Sequence, residues 1–414
     1  MRALKYISWG DNTGYAIAAK TYVRALIEAG IDLTWTPMLT GLGNYEPYFS
    51  TTWPCPILGS VCNRNIDYDT VLIHTIPEYY PEWIAQERRP NRRIFGYTVW
   101  ELERLPDHWP PILNQLDGVI VPCSWNVDIF RNSGVTVPIH VVPHLSQFEY
   151  INSSTDVDDA NIRERLGLLK KDPTPFIFYT IGFWSHRKAP YLALEAYLKA
   201  FDANDPVLMV IKTTPKDFTR RTRHWRNGFR LRHPSPLAFV QAFVSRYPGR
   251  AKVVVITDDT LSDGQILALH KIGDCFVSLA RTEGWGLGAF EATRLGNPVV
   301  MTGYGGQLDF LDPEFTYLVD HKMVAVHEPT WAENYKPSDD WAEPSLEHAA
   351  HLMREVFDKR AFARKRADTY AQLLAKKFSK NAILSNLLCA LSKDRFRASR
   401  ENGTTLCTLT ISKY

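Results

Sequence analysis

Two glutamates eight residues apart, Glu283 and Glu291, flank the glycine-rich segment Gly284-Trp285-Gly286-Leu287-Gly288-Ala289-Phe290. The surrounding pattern reads as strand, loop and helix start. Bare backbone N–H groups at a helix N-terminus then face outward, where the macrodipole favours an anion. Three glycines in five positions let a pyrophosphate approach the chain closely. A carboxylate is a good double acceptor for vicinal hydroxyls, so one glutamate suits a ribose and the other a hexose. An ordinary tight loop with two solvated glutamates has the same spacing, since a glycine-rich turn alone is a weak signal.

A second charged segment, Gly182-Phe-Trp-Ser-His-Arg187-Lys188-Ala-Pro190, also follows a strand and precedes a helix. Charges there project from a strand's carboxyl end, where sheets of this kind bind ligands. Arg187 offers a planar fork and Lys188 a point charge, a pair suited to a diphosphate leaving group; a solvated basic turn is the alternative. His186 reads as a surface or wall residue rather than a base. The turn Gly10-Asp-Asn-Thr-Gly14 has glycines placed for phosphate approach but not the dinucleotide spacing. Gly14 is a phosphate candidate, and a plain β–α turn is the competing reading. His74, Glu101 and Arg104 follow strands of the first half and so sit at its cleft face as ligand candidates; a satisfied structural histidine and a Glu–Arg pair are the bland alternatives. The run 216–233 holds seven Lys or Arg interleaved with Phe218, Trp225 and Phe229. It reads either as a solvated face or as a surface for an anionic partner, whether a glycan, a lipid-linked intermediate, a membrane surface or a nucleic acid.

These segments need elements to position them. Short apolar runs alternate with helical patterns throughout. Strands are expected at 4–8, 31–35, 70–74, 93–98, 118–122 and 138–143, then at 176–182, 207–212, 252–257, 275–278 and 298–302. Helices are expected at 16–30, 191–201 and 262–271, the last with Ser262 and Gln265 at capping-box spacing. Such alternation implies parallel sheets covered by helices. The polar stretch 150–174 separates two series. The predicted architecture is α/β, with two doubly wound Rossmann-like domains, 1–160 and 161–375, facing a central cleft. A helical tail, 376–414, packs back on the first, its last dozen residues frayed.

The bulk properties agree with two soluble domains in 414 residues, 45% hydrophobic and 22% charged, at a net charge of +3. No apolar stretch approaches about 18 residues, and the N-terminus lacks a signal-peptide core. The expected location is cytoplasmic, with peripheral membrane contact left open. Six cysteines form no zinc pattern and read mostly as buried hydrophobes; a Cys55–Cys62 bridge is the alternative.

Glu283–Glu291 resembles the E-x7-E motif of retaining glycosyltransferases of the GT-B fold, family 4. The continuation Ala292-Thr-Arg-Leu-Gly296-Asn-Pro298-Val-Val fits the family's "EA-x-x-x-G-x-P-V-V". Gly182–Lys188 resembles its "G-R-x(3,4)-R-K", except that Phe183 stands where the first Arg should be. Trp100-Glu101-Leu-Glu-Arg104-Leu-Pro106 resembles a "W/F-E-x-x-R-L-P" stretch of some members, and Val-Val-Pro-His144 the close of their first domain. The resemblance implies that Glu291 binds the nucleotide ribose, Glu283 the donor sugar hydroxyls, and amides near Leu287 and Gly288 the diphosphate. It implies transfer with retention from a UDP- or GDP-linked sugar, with no cofactor and no metal. It implies a donor side in 161–375, faced by Gly14 as a diphosphate or sugar candidate, and an acceptor side in 1–160, with His74, Glu101 and Arg104 as acceptor-side candidates. An epimerase of the same fold, or a non-catalytic binder of anionic polymers using 216–233, is the alternative. Sugar, nucleotide and acceptor have no readable code.

Overall fold

The computed structural model describes residues 1–41, 44–151, 155–169, 173–219, 235–257 and 261–392. Most of the basic run, from 220 to 233, and the last dozen residues therefore lie outside the described residues. The chain forms two compact units. The first comprises 1–100, 104–150 and 376–414; the second comprises 101–103 and 151–375.

The first unit is built on seven strands: β1 (Leu4–Trp9), β2 (Leu33–Thr40), β3 (Tyr45–Pro47), β4 (Thr70–His74), β5 (Arg93–Tyr97), β6 (Gly118–Val121) and β7 (Ile139–Val141). Their order is β3-β2-β1-β4-β5-β6-β7, parallel except for β3 on β2. The central strands are continuous apolar runs, as strands covered on both faces must be. Helix Gly14–Glu28 starts at Thr13, whose hydroxyl accepts from the Ala16 amide. The helix Lys380–Leu391 belongs to this unit, and Lys380 pairs with Glu28 at 2.8 Å.

The second unit has six strands: β8 (Phe176–Ile181), β9 (Val207–Lys212), β10 (Lys252–Ile256), β11 (Cys275–Ser278), β12 (Val299–Thr302) and β13 (Tyr317–Val319). Their order is β10-β9-β8-β11-β12-β13, parallel throughout. This is the doubly wound order, which reverses between β8 and β11, and sheets of this kind bind ligands at the carboxyl ends of the strands at that point. Phe178, Met209, Ile211, Val277 and Val300 fill one core with Ala193, Leu194 and Tyr197 of helix Pro190–Ala200. An antiparallel hairpin, β14 (His321–Ala325) with β15 (Asp340–Pro344), stands apart from this sheet.

Three expectations change. The second strand begins at Leu33 and runs on to Thr40, beyond the expected 31–35. The stretch 150–174 holds a helix, Asp156–Arg165, started by a capping box of Thr155 and Asp158. Cys55 and Cys62 are both free thiols, as are Cys123 and Cys275, so the bridge considered for Cys55 and Cys62 is absent. Among the described residues no helix is long and apolar enough to cross a membrane.

Candidate active site at the carboxyl edge of the second unit

Strands β8 and β11 are neighbours, and each ends in a charged loop. The loop after β8, Gly182–Ala189, is fixed by His186. Its Nε2 lies 3.1 Å from the Thr219 carbonyl and its Nδ1 2.9 Å from the Tyr191 hydroxyl. A nitrogen facing a carbonyl must carry its proton there, so Nε2 donates and Nδ1 accepts. Burial, helped by Arg281, holds this ring below the usual histidine range. His186 thus anchors the loop. Pro190 then opens the helix with the φ its ring imposes.

The loop after β11 is held by Arg281. Its guanidinium meets Glu343 on two nitrogens, one at 3.1 Å, and the Tyr191 hydroxyl at 2.8 Å. It also reaches the His186 carbonyl, and the Arg281 amide donates to the Arg187 carbonyl at 2.8 Å. The two loops are therefore stitched together by an arginine whose donors are committed to protein.

Arg187 and Lys188 have a different role. Lys188 Nζ bonds Glu283 Oε1, and Arg187 Nη1 lies 3.4 Å from Glu283 Oε2 and 3.1 Å from the Thr282 carbonyl. Only 8% of the Glu283 side chain is exposed. Burial alone would raise its pKa, but the two cations outweigh that and hold it below the usual carboxylate range. Burial pushes the Lys188 ammonium down, and Arg187 adds to this while Glu283 opposes it. Two cations share one carboxylate at the switch point.

The rest of the motif is shaped by backbone. Gly286 caps helix Leu287–Arg294 at φ 86°, a conformation that costs any side chain dearly. Its carbonyl accepts from Phe290 at 3.0 Å, so Gly284, Leu287 and Gly288 lie where the helix amides begin. Gly305, at φ 104°, donates nothing to this contact but makes room for it: a Cβ there would sit 2.7 Å from the Glu283 carbonyl, which accepts the Gly306 amide at 2.8 Å. Trp285 is buried against Phe290 and Phe310, at 5.2 and 4.9 Å between rings, so its indole is not exposed for stacking. Glu291 is 2% exposed in the second turn of the helix.

The remaining candidates divide between the units. Glu101 belongs to the second. Its Oε1 lies 3.4 Å from Arg187 Nη2, and its Oε2 accepts the Tyr335 hydroxyl at 2.9 Å. Gly14, His74 and Arg104 lie in the first unit. Gly14 begins the helix after a turn braced by Asp11, which accepts from the Thr13 amide at 2.9 Å and its hydroxyl at 2.7 Å. His74 is buried, stacked on Tyr97 at 4.1 Å, with Nδ1 2.7 Å from the Tyr6 hydroxyl. His144 is buried too, 3.1 Å from the Tyr97 hydroxyl, and burial pushes its pKa down to about 3. Arg104 is exposed, and its carbonyl accepts the Trp100 indole N–H at 2.6 Å. Sequence reasoning missed Glu328 and Tyr335. Glu328 is buried, accepts the Arg187 amide at 3.1 Å, and burial raises its pKa. Neither residue sits in a motif.

Residues 244–328 match the family model of glycosyl transferases group 1, a segment that contains Glu283 and Glu291. No curated protein matches the chain by sequence. HepE of Anabaena, solved with UDP and glucose, superposes at TM-score 0.61 with 13% identity, over 95% of this chain and 100% of HepE. A glycosyltransferase from Rickettsia africae gives 0.61 at 12% identity, over 94% and 97%. Sucrose-phosphate synthase from Thermosynechococcus elongatus gives 0.60 at 15% identity, over 94% and 98%. At these identities the likeness is one of fold, and the fold is GT-B.

Proposed function

We propose that this chain is a glycosyltransferase that takes a sugar from a nucleoside diphosphate and transfers it to an acceptor hydroxyl with retention. The observation that carries the reading is the Arg187–Lys188–Glu283 cluster at the carboxyl ends of β8 and β11. It lies in part on the segment that matches the group 1 model. An arginine and a lysine side by side suit a diphosphate, and a buried ionised carboxylate between them suits sugar hydroxyls. The UDP bound in HepE fits such a donor.

In this reading the donor diphosphate takes Lys188 and Arg187, and Glu283 turns to the sugar. The helix N-terminus at Gly286–Gly288 adds its dipole, and Glu291 holds the ribose. As the sugar–phosphate bond breaks, negative charge grows on the leaving phosphate, where the two cations are already placed. That arrangement supplies the charge that a metal would otherwise meet. The acceptor attacks from the leaving-group face, and a phosphate oxygen of the donor takes its proton. The donor is a UDP- or GDP-linked sugar, and the acceptor is anionic if the basic run contributes.

The test is incubation with a panel of labelled UDP- and GDP-sugars, following slow donor hydrolysis. Cleavage that disappears in Glu283→Ala and Lys188→Ala is the expected result. Epimerised donor in place of free sugar would sink transfer in favour of an epimerase, and no binding of any donor would sink both.

A further inference from the structure

Arg187 is shared between two carboxylates, and only one belongs to the motif. Glu283 Oε2 lies 3.4 Å from Nη1, and Glu101 Oε1 lies 3.4 Å from Nη2. Glu101 is itself pinned. Tyr335 donates to its Oε2 at 2.9 Å, and the Thr282 hydroxyl donates to its carbonyl. Its side chain is 14% exposed, as is that of Arg187. The two forks of the guanidinium thus face different anions, and the Tyr335 bond keeps Glu101 facing its own.

We propose that Glu101, held by Tyr335, is a positioning residue that keeps half of Arg187 occupied so that Glu283 can leave it for the donor sugar. The proposal rests on the glycosyltransferase reading given above. An arginine facing one buried carboxylate forms the strongest pair it can, two parallel N–H···O bonds. If Arg187 had only Glu283, that pair would form and would hold Glu283 away from sugar hydroxyls. Glu101 prevents it by taking the other fork. Its negative charge also opposes the incoming diphosphate, so it trades nucleotide affinity for turnover.

Those two effects have opposite signs, which separates positioning from simple structural damage. In Glu101→Gln the site loses one negative charge near the phosphates, so UDP should bind about three- to tenfold more tightly. Donor cleavage should slow at least tenfold, because Arg187 now closes on Glu283. Glu101→Asp keeps the charge and should return UDP affinity to the wild-type value. Tyr335→Phe alters no charge; it should slow turnover severalfold with UDP affinity unchanged. The measurements are calorimetric titration with UDP and GDP, and kcat and KM for donor hydrolysis by the full chain. Glu101→Gln losing nucleotide affinity and turnover together, or keeping wild-type turnover, would overturn the proposal. A wild-type protein that binds neither UDP nor GDP would instead overturn the functional reading on which it stands.

Discussion

Replacing Lys188 with methionine removes a cation while keeping the volume of its stem. Glu283 is then left nine-tenths buried with Arg187 3.4 Å away as its remaining cation. Breaking a buried pair typically costs about 3–5 kcal/mol when the survivor is uncompensated. Arg187 compensates in part, so the loss should be about 1–3 kcal/mol at neutral pH. For a unit of this size, each kcal/mol moves the melting temperature by about 2–4 °C, which puts the expected drop at about 2–12 °C. The pH dependence supplies the check. The Glu283 pKa is depressed in the folded protein, so its contribution is present above the unfolded value and is lost as pH falls through the folded one. In the variant Glu283 is protonated sooner, and the penalty of an underpaired charge goes with it. The wild-type and variant melting curves should therefore stand furthest apart at pH 6–8 and converge below about pH 4. Scanning fluorimetry at four pH values measures this. A variant as stable as the wild type at pH 7, or a gap that stays constant down to pH 4, would refute the Lys188–Glu283 pairing as the source of the effect. Added UDP should raise the melting temperature of the wild type far more than that of the variant.

Glu283→Gln should retain UDP binding, since it frees both cations, while lowering donor cleavage by a hundredfold or more; kcat and a UDP titration read the two separately. If Glu291 holds the ribose, wild-type protein should prefer UDP to 2′-deoxy-UDP by about tenfold or more, and Glu291→Gln should erase most of that preference. Gly286→Ala forces a side chain into φ 86° at the start of the donor helix, and should cost about 1–2 kcal/mol of stability together with weaker UDP binding, seen by denaturation and titration. His144 in the first unit and His270 in the second are buried and neutral, with pKa values pushed down by burial to about 3. Lowered folded values mean that the unfolded chain binds more protons, so stability is full above about pH 6.5 and falls as pH drops from there toward 3. Urea midpoints across that window should decline in both units, and His144→Phe should flatten the decline in the first.

The fold was legible where hydrophobic runs were long and uninterrupted. Thr70–His74, Val207–Lys212 and Cys275–Ser278 are strands with the bounds expected of them, because parallel strands covered on both faces are near-continuous apolar runs through their middle positions. The capping box at Ser262 and Gln265 forms as its spacing requires. Short edge elements were not legible. Tyr45–Pro47 contributes three residues at a sheet edge, one of them proline, and Tyr317–Val319 is another three-residue edge strand. Each is defined by the neighbour it pairs with more than by its own pattern. The helix Asp156–Arg165 was hidden for another reason: it has one buried residue, Ile162, and so almost no apolar periodicity.

The site divides along the same line. Arg187, Lys188, Glu283 and Gly286 were readable as candidates because charged residues and glycines within a few positions after a strand make a pattern of their own. Their neighbours Glu328 and Tyr335 come from elsewhere in the chain, and each meets Arg187 or its counter-ion Glu101 through one contact. A single long-range contact imposes a residue type but no spacing, so nothing in the sequence marks it. Phe183 shows the limit from the other side. Where the resembling motif has an arginine, this chain has an aromatic ring, packed edge-on against Phe218 at 5.9 Å. If the cluster is the phosphate site proposed above, it has one cation fewer than the motif it resembles and relies on Arg187 and Lys188. In the proposed reading the diphosphate takes both cations, and Lys188, 25% exposed and paired with Glu283, faces fewer competing carboxylates than Arg187, which also meets Glu101.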